Sequence, residues 1–456
     1  MTDRAARRTP ATTGLPRSRG GRILGVDAAR ALALVGMFAT HILPLHDGAD
    51  VPTLTGLIPD GRASALFAVL AGVGVALSSG GPRRPVDGRA HLAAAGGLIV
   101  RGLLVGLLGL WLVAFDSPVA VILAYYGLLF VVATPLLRLP AAVLGCGAVL
   151  VAALAPVAGQ LLRAELPEGP GEQPGLDALA RPGELFVTLA VTGYYPVLVW
   201  TTYLLAGMAV GRLDLRRLRV AVGLLVGGAA LAVAAAAGSA WLLGPGGGAA
   251  ALGPDALAER NYGTTPTDSW WWLAVNAPHS GTPVNMIHTT GTALAVLGAM
   301  LLLARCWWVV VWLPAAVGAI PLTLYTLHVI LLSVYSGEDE PPQVLLGLWL
   351  AHVAGAVLIG AAFRLAGRRG PLEAVVSAAG RAVRRALDPR SGPGTGPGTG
   401  LPTGPARPAD GDPTTAPIPV VPAEVRAAPA IPVQGAPVDP AARTAPSGIP
   451  ATRRPQ

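Results

Sequence analysis

Lysine is missing from this chain: all 33 basic residues among its 456 are arginine, set against 25 acidic ones for a net charge of +8. Charge of either sign is scarce at 13% of residues, while 53% are hydrophobic and the mean hydropathy is +0.58. A soluble protein of this length needs far more charge to cover its surface, so the scarcity excludes a wholly aqueous fold. Lipid must be the solvent for much of the chain. The arginines stand beside apolar segments rather than on one soluble face, which excludes nucleic-acid binding as the reason for the basic balance. Their abundance, with that of Ala, Gly and Pro, reads as the bias of a GC-rich genome. Cysteine occurs only twice, as Cys146 and Cys306, both in or beside apolar runs. Two cysteines exclude a disulfide framework and a cysteine metal site, and read as small apolar packers. Also absent are a phosphate-binding Walker loop, a dinucleotide-type glycine fingerprint, any metal-ligand spacing of His or Cys, and a recognisable internal repeat.

What the chain has instead is a series of apolar runs. About 20 apolar residues cross a hydrocarbon core, and ten runs qualify: 23–44, 62–80, 91–113, 117–137, 139–160, 185–210, 217–243, 284–304, 307–335 and 342–366. The prediction is an all-α polytopic membrane bundle of about ten transmembrane helices. The first run is long and carries charge, so it reads as a signal anchor and spanning helix rather than a cleaved leader. Pro321 should kink or break the ninth run. Glycine-rich strings such as "GVGVAL" and "GLLVGLLGL" read as close helix packing.

Charge tests this division independently, because cytoplasmic loops collect arginine. Arg4 to Arg22, the group Arg83, Arg84 and Arg89, the group Arg212 to Arg219, and Arg364 to Arg385 all fall on one side if ten helices alternate. The opposite loops are acidic or neutral. The expectation is a multi-pass protein of the plasma (inner) membrane with both termini in the cytoplasm. Two outer loops are long, 161–184 and 244–283. The second holds Trp270, Trp271 and Trp272, which suit the headgroup belt. The division that follows is a basic tail at 1–21, a membrane domain at 22–367, an amphipathic helix on the inner leaflet at 368–388, and a Pro, Gly, Thr and Ala tail at 389–456. Both tails are expected to be disordered, since neither can bury a core.

Function is best sought where ionisable groups stand inside apolar runs, because each costs kilocalories there. The first run has three, Asp27, Arg30 and His41. At 100° per residue His41 lies about 20° around the helix from Arg30 and Asp27 about 60°, so all three share one face, with Arg30 and His41 about 16 Å apart along the axis. Asp27 and Arg30 also have the spacing of a plain ion pair. His41 can act as general base toward a hydroxyl or amine. Arg62 opens the second run and Arg101 stands deep in the third, where it must face a partner or a wet cavity. The ninth run crowds Thr323, Tyr325, Thr326 and His328 into "PLTLYTLH". His288 and the tyrosines 125, 126, 194 and 195 have the usual role of hydrogen-bonding between helices, while His46, His91 and His352 read as interfacial or packing residues. His279, in the outer "PHSGT", is placed to close over a site.

These strings resemble a known family. "RILGVDAARALALVGMFATH", "GRASALFAVLAGVGVAL", "PHSGT", "PLTLYTLH" and the closing "RRGPLE" are similar to bacterial relatives of heparan-alpha-glucosaminide N-acetyltransferase, including the YeiB-like group, over roughly 22–375. Arg30 followed by His41 also resembles the first-helix signature of membrane acyltransferases that O-acylate surface polysaccharides. The resemblance implies acyl-CoA, acetyl-CoA above all, as co-substrate on the cytoplasmic side. It implies a glycan or lipid-linked acceptor on the other side, and no metal. Carried over, Arg30 would help hold the donor and His41 would deprotonate the acceptor; to these the polar groups already named add Asp27 as a second catalytic candidate, Arg101 at the donor, and His46, Arg62, His279, His288, Tyr325 and His328 as acceptor-side or supporting residues. One departure is that the lysosomal enzyme's catalytic His lies in a luminal loop, which makes His46 a rival to His41. The partners expected are the bilayer, the acyl donor and the acceptor, without nucleic acid; self-association is compatible with all of this. Two other readings stay open: a transporter or flippase that uses the same buried charges as a pathway, and a non-catalytic scaffold that recruits a partner through its tail.

Overall fold

The computed structural model describes residues 22–84, 87–166, 172–253, 262–335 and 340–388. The expectations for the tails at 1–21 and 389–456 fall outside the described residues. Among the described residues twelve helices reach ten residues or more and no strand forms. They are α1 (Leu24–Ile42), α2 (Arg62–Ser78), α3 (Gly88–Leu112), α4 (Leu123–Ala133), α5 (Ala141–Arg163) and α6 (Val197–Gly211), then α7 (Leu218–Leu243), α8 (Pro283–Cys306), α9 (Trp308–Val317), α10 (Pro321–Ser333), α11 (Pro342–Leu365) and α12 (Pro371–Leu387). Helices are the fold that apolar runs must take in lipid, since they satisfy every backbone group internally. Four of them, α8, α10, α11 and α12, start with proline in the first turn, where the missing N–H has no partner to lose.

Among the described residues six helical stretches are long and apolar enough to cross a membrane, and eight are when two bent pairs each count as one span. The expected count of about ten is not confirmed, for two physical reasons. Asp27 and Arg30 dilute the hydropathy of α1. The fourth run begins its helix only at Leu123 and gives 11 residues, about 16 Å or half a bilayer. The residues before Leu123 stay non-helical because another segment takes their polar groups: Val121 N donates to Gln173 Oε1 at 2.7 Å and Gln173 Nε2 donates to Val119 O at 3.0 Å. The ninth run breaks at Pro321 as expected, with α9 and α10 bent by 57°. The sixth run also bends, by 61°, between Pro182–Thr192 and α6. The sequence reading passed over that break, although Gly193 and Pro196 flank it.

Glycines bring helices together where the sequence has its glycine-rich strings. A Cβ on Gly72 of α2 would lie 3.0 Å from Gly207 Cα of α6. A Cβ on Gly127 of α4 would lie 2.8 Å from Gly106 Cα of α3. Both crossings leave room for hydrogen alone. The cysteines do not pack as expected: Cys146 and Cys306 are both exposed, on helix faces that the bundle does not cover. Nor do the three tryptophans form one belt. Trp270 is exposed, but Trp272 is buried and donates its indole N–H to Asp268 at 2.8 Å.

Contacts divide the bundle into two ends. At one end Arg22 donates to Ala319 O, Arg84 to Arg138 O at 3.1 Å, Arg305 to Arg216 O, and Arg384 to Ser78 O at 3.0 Å. Arg212 is buried there and donates to Ala76 O and Gly81 O, both at 2.9 Å, to Leu137 O at 2.6 Å and to Ser79 Oγ at 3.2 Å. The amphipathic stretch forms α12, which lies on α3 with Gly380 against Gly97 and leaves Val375, Arg381 and Arg385 exposed. At the opposite end the loops close over one another. Gln160 reaches Ser269 O at 2.8 Å, Arg163 reaches Thr265 O, and Ser239 reaches Ala274 O at 2.6 Å.

Candidate active site

At the end opposite the arginines, a cavity of about 330 Å³ opens between α1, α2, the start of α4, the segment before α6 and the loop before α8. His41, Asp60, Gln173, Tyr194, Tyr195, Tyr262, His279 and Tyr325 are the polar residues that line it with Thr40 and Ser64. α1 delivers His41 from its last turn. Asp60 comes from the turn before α2. Gly61 then takes φ +68, a conformation that favours glycine, and a Cβ there would sit 3.1 Å from Pro278 Cα. This close approach seats the loop that carries His279 against the start of α2. His279 itself has φ +59, an uncommon conformation for a residue with a side chain. It is held by Gly263 N, which donates to His279 O at 2.8 Å. Behind it, Thr282 caps α8 by accepting from Asn285 N at 3.1 Å.

The imidazole of His279 lies between two tyrosine rings, Tyr195 at 6.0 Å and Tyr262 at 5.9 Å between centroids. Its Nε2 is 3.6 Å from Asp60 Oδ1, and both side chains are largely buried. Across the cavity His41 Nδ1 is 3.1 Å from His328 Nε2, with the two rings near parallel at 19°. His328 is 1% exposed and stacks on Phe38 at 4.1 Å. Tyr325, one turn earlier on α10, lines the wall and accepts from Ile122 N at 3.4 Å. The cavity therefore offers two separate imidazoles, one beside a carboxylate and one backed by a second imidazole.

The other sequence candidates lie elsewhere. Asp27 and Arg30 pair at 2.7 Å, and Arg30 also donates to Gly318 O at 3.4 Å. Asp27 is about 21 Å along the axis from His41 and does not line the cavity. Shared helix face does not mean shared site here, because fourteen residues separate them. Arg101 places its guanidinium over the Phe130 ring at 5.1 Å. Arg62 donates from Nε to His288 Nε2 at 3.2 Å and from Nη1 to Leu57 O at 2.9 Å, while His288 Nδ1 donates to Ala232 O at 3.0 Å. That pair stands outside the cavity wall. His46 is in the loop after α1, bridged to Pro52, and is not in the wall either.

Sequence reading missed Asp60, Gln173 and Tyr262. Each lies in a turn or loop, where no periodicity marks an inward side chain. Asp60 had the strongest signal, an acidic residue next to an apolar run and two before Arg62.

Residues 22–242 match the family described as heparan-alpha-glucosaminide N-acetyltransferase, catalytic. No curated protein matches the chain. The match covers α1 to nearly all of α7, and so includes His41 and Asp60; His279, Tyr325 and His328 lie beyond it. The resemblance read from the sequence is borne out. Residues 22–242, just under half of the chain, are thus similar to the catalytic region of the heparan-alpha-glucosaminide N-acetyltransferase family, in a chain with several helices long and apolar enough to cross a membrane.

Proposed function

We propose that the protein transfers an acyl group, the acetyl group above all, from acyl-CoA to a hydroxyl or amine of an acceptor bound in the cavity. The acceptor is a glycan or a lipid-linked envelope component. The observation that carries this reading is the meeting of two imidazoles, His41 and His279, in the wall of one cavity in a chain similar to an acetyltransferase family.

In the reaction, the acceptor O–H or N–H gives its proton to Nε2 of His41 as its oxygen or nitrogen attacks the thioester carbonyl carbon. The C–S bond breaks, CoA leaves as thiolate, and the proton passes on to that thiolate. His279, with Asp60 behind it, faces the acceptor from the other wall. Tyr194, Tyr195 and Tyr262 line the cavity with aromatic rings suited to stack on a sugar. His41 is favoured over His46 because only His41 reaches the cavity. Asp27 is reassigned from catalysis to holding Arg30.

The arginine-rich end is taken as cytoplasmic by the positive-inside rule, with both termini there and the plasma membrane as the site. The donor enters from that end, on the side of Arg101 and of the Asp27–Arg30 pair, which lies about 16 Å or more along α1 from His41. Its acetyl group is delivered upward between the helices.

The test is direct. Protein purified in detergent and supplied with acetyl-CoA labelled in the acetyl group should release CoA, and should do so faster with an amino sugar present. The reading fails if the wild type neither binds nor turns over acetyl-CoA, or if His41→Ala and His279→Ala both turn over at the wild-type rate.

A further inference from the structure

His328 and His352 each bury a ring nitrogen that has no partner, and the two rings are neighbours. His328 Nδ1 and His352 Nε2 are the atoms concerned, and the ring centroids are 5.1 Å apart at 85°. His352, on α11, was read from sequence as a packing residue; it lies 24 positions after His328, a separation that carries no periodic signal.

We propose that His352, His328 and His41 form one hydrogen-bonded chain, anchored on a backbone carbonyl, that holds the proton of His41 on Nδ1 and leaves its Nε2 free to accept a proton in the cavity. The argument begins at the anchor. His352 Nδ1 is 2.9 Å from Leu348 O. A carbonyl only accepts, so Nδ1 carries the hydrogen and the neutral ring has its lone pair on Nε2. That lone pair needs a donor, and the nearby unpartnered nitrogen is His328 Nδ1. If Nδ1 of His328 carries hydrogen, its Nε2 is a lone pair, and the 3.1 Å contact with His41 must be donated by His41 Nδ1. Nε2 of His41 is then unprotonated.

The opposite assignment puts the hydrogen on His328 Nε2. It leaves two buried lone pairs, on His328 and His352, facing each other's rings with no donor between them. Buried polar atoms left unmet carry a desolvation cost, and only the first assignment can satisfy both. Closing the link takes rotation of an imidazole about its broad terminal torsion. The stack of Phe38 on His328 leaves that ring little room to tilt, so the rotation falls to His352. His328 and His352 are positioning residues in this scheme, because neither lines the cavity.

The use of Nε2 as a base rests on the acetyl-transfer reading; the direction of the chain does not, and one measurement separates the two. In protein labelled with ¹⁵N at histidine, ring-nitrogen shifts distinguish the tautomers. All three rings are expected as Nδ1–H, with each ring's signals assigned in the wild type by through-bond correlation to its own backbone. In His352→Phe, which keeps an aromatic ring against Phe38 and His328, His41 should become a mixture of tautomers. Turnover should fall in proportion to the Nε2–H fraction, about twofold for an even mixture, with KM unchanged, and His352→Gln, whose amide oxygen can accept from His328, should recover part of it. A wild-type His41 found as Nε2–H overturns the chain, as does an unchanged His41 tautomer in His352→Phe. The wild-type spectrum alone decides the direction, so a variant that fails to fold leaves the test standing. Absence of any acetyl transfer by the wild type would sink the proposed reaction without touching the tautomers.

Discussion

Replacing Glu373 with alanine should loosen the start of α10, the helix that carries Tyr325 and His328. Glu373 belongs to α12, beyond the last apolar helix, yet its carboxylate accepts three hydrogen bonds from the first turn of α10. Leu322 N donates to Oε1 at 2.7 Å, Thr323 N to Oε1 at 3.1 Å, and the Thr323 hydroxyl to Oε2 at 2.6 Å. It thus caps the helix from outside and places a negative charge at the positive end of its dipole. Hydrogen bonds to a charged group contribute about 1.5–3 kcal/mol, and loss of a cap costs about 0.5–2 kcal/mol. Because the site is only partly buried, the combined loss is taken at the lower end, about 2 kcal/mol. The loss falls on two amides that have no other partner. In Glu373→Ala, hydrogen exchange at Leu322 and Thr323 should therefore quicken about 30-fold, since about 1.4 kcal/mol is a factor of ten. The melting temperature should drop by about 3 °C, from about 2.1 cal/mol/K of unfolding entropy per residue over the folded part. Glu373→Gln should give an intermediate effect, because an amide keeps one acceptor but loses the charge. Exchange at the two amides that stays at the wild-type rate in Glu373→Ala would refute the capping role.

Four further outcomes follow from the same structure. His41→Ala and His279→Ala should each lower acetyl transfer by about 100-fold or more, the usual range for a lost acid–base group, while Asp27→Asn should act on protein yield rather than on the acceptor's KM. Arg212→Ala removes the donor to the buried Gly81 and Leu137 carbonyls, while Ala76 O keeps Gly81 N and the Ser79 hydroxyl; it should destabilise by about 3 kcal/mol, read as loss of monodisperse protein after extraction. Gly207→Leu forces α6 off Gly72 and should abolish folding, whereas leucine at the open position Gly223 should be tolerated. In the loop after α1, the Asp47 carboxyl is held below its usual range by hydrogen bonds from Val51 N and Ala49 N. Its contribution is present above the ordinary carboxylate range and is lost as pH falls below about 4. Exchange at Ala49 and Val51, corrected for its intrinsic rate, should rise over that acid interval.

How much of this was legible beforehand depended on which physical signal each feature leaves. Apolar runs and arginine clusters marked the helices and the two ends, because lipid imposes both patterns on composition. The Pro321 break was legible as well, since proline removes a donor. The bend before α6 was not, although Gly193 and Pro196 stand at it, because continuous hydropathy across 185–210 hid it. For the site, helical spacing singled out His41, and the "PLTLYTLH" string marked Tyr325 and His328. The same spacing argument put Asp27 with His41, where axial distance separates them. Asp60, Gln173, Tyr262 and His352 reach the site or its backing through turns and packing between distant segments. A single sequence carries no periodic trace of such meetings.

The central claim is that an acetyl group taken up at the arginine-rich end is delivered to an acceptor at the His41 and His279 end. The most direct measurement uses sealed vesicles with the protein inserted in one orientation, acetyl-labelled acetyl-CoA supplied only on the arginine-rich side and an amino sugar only on the other. The account predicts labelled acetyl-sugar in the acceptor compartment, with none when His41 or His279 is alanine. Label that stays wholly with CoA while the wild-type protein is intact, or labelled product formed equally by both variants, would contradict it.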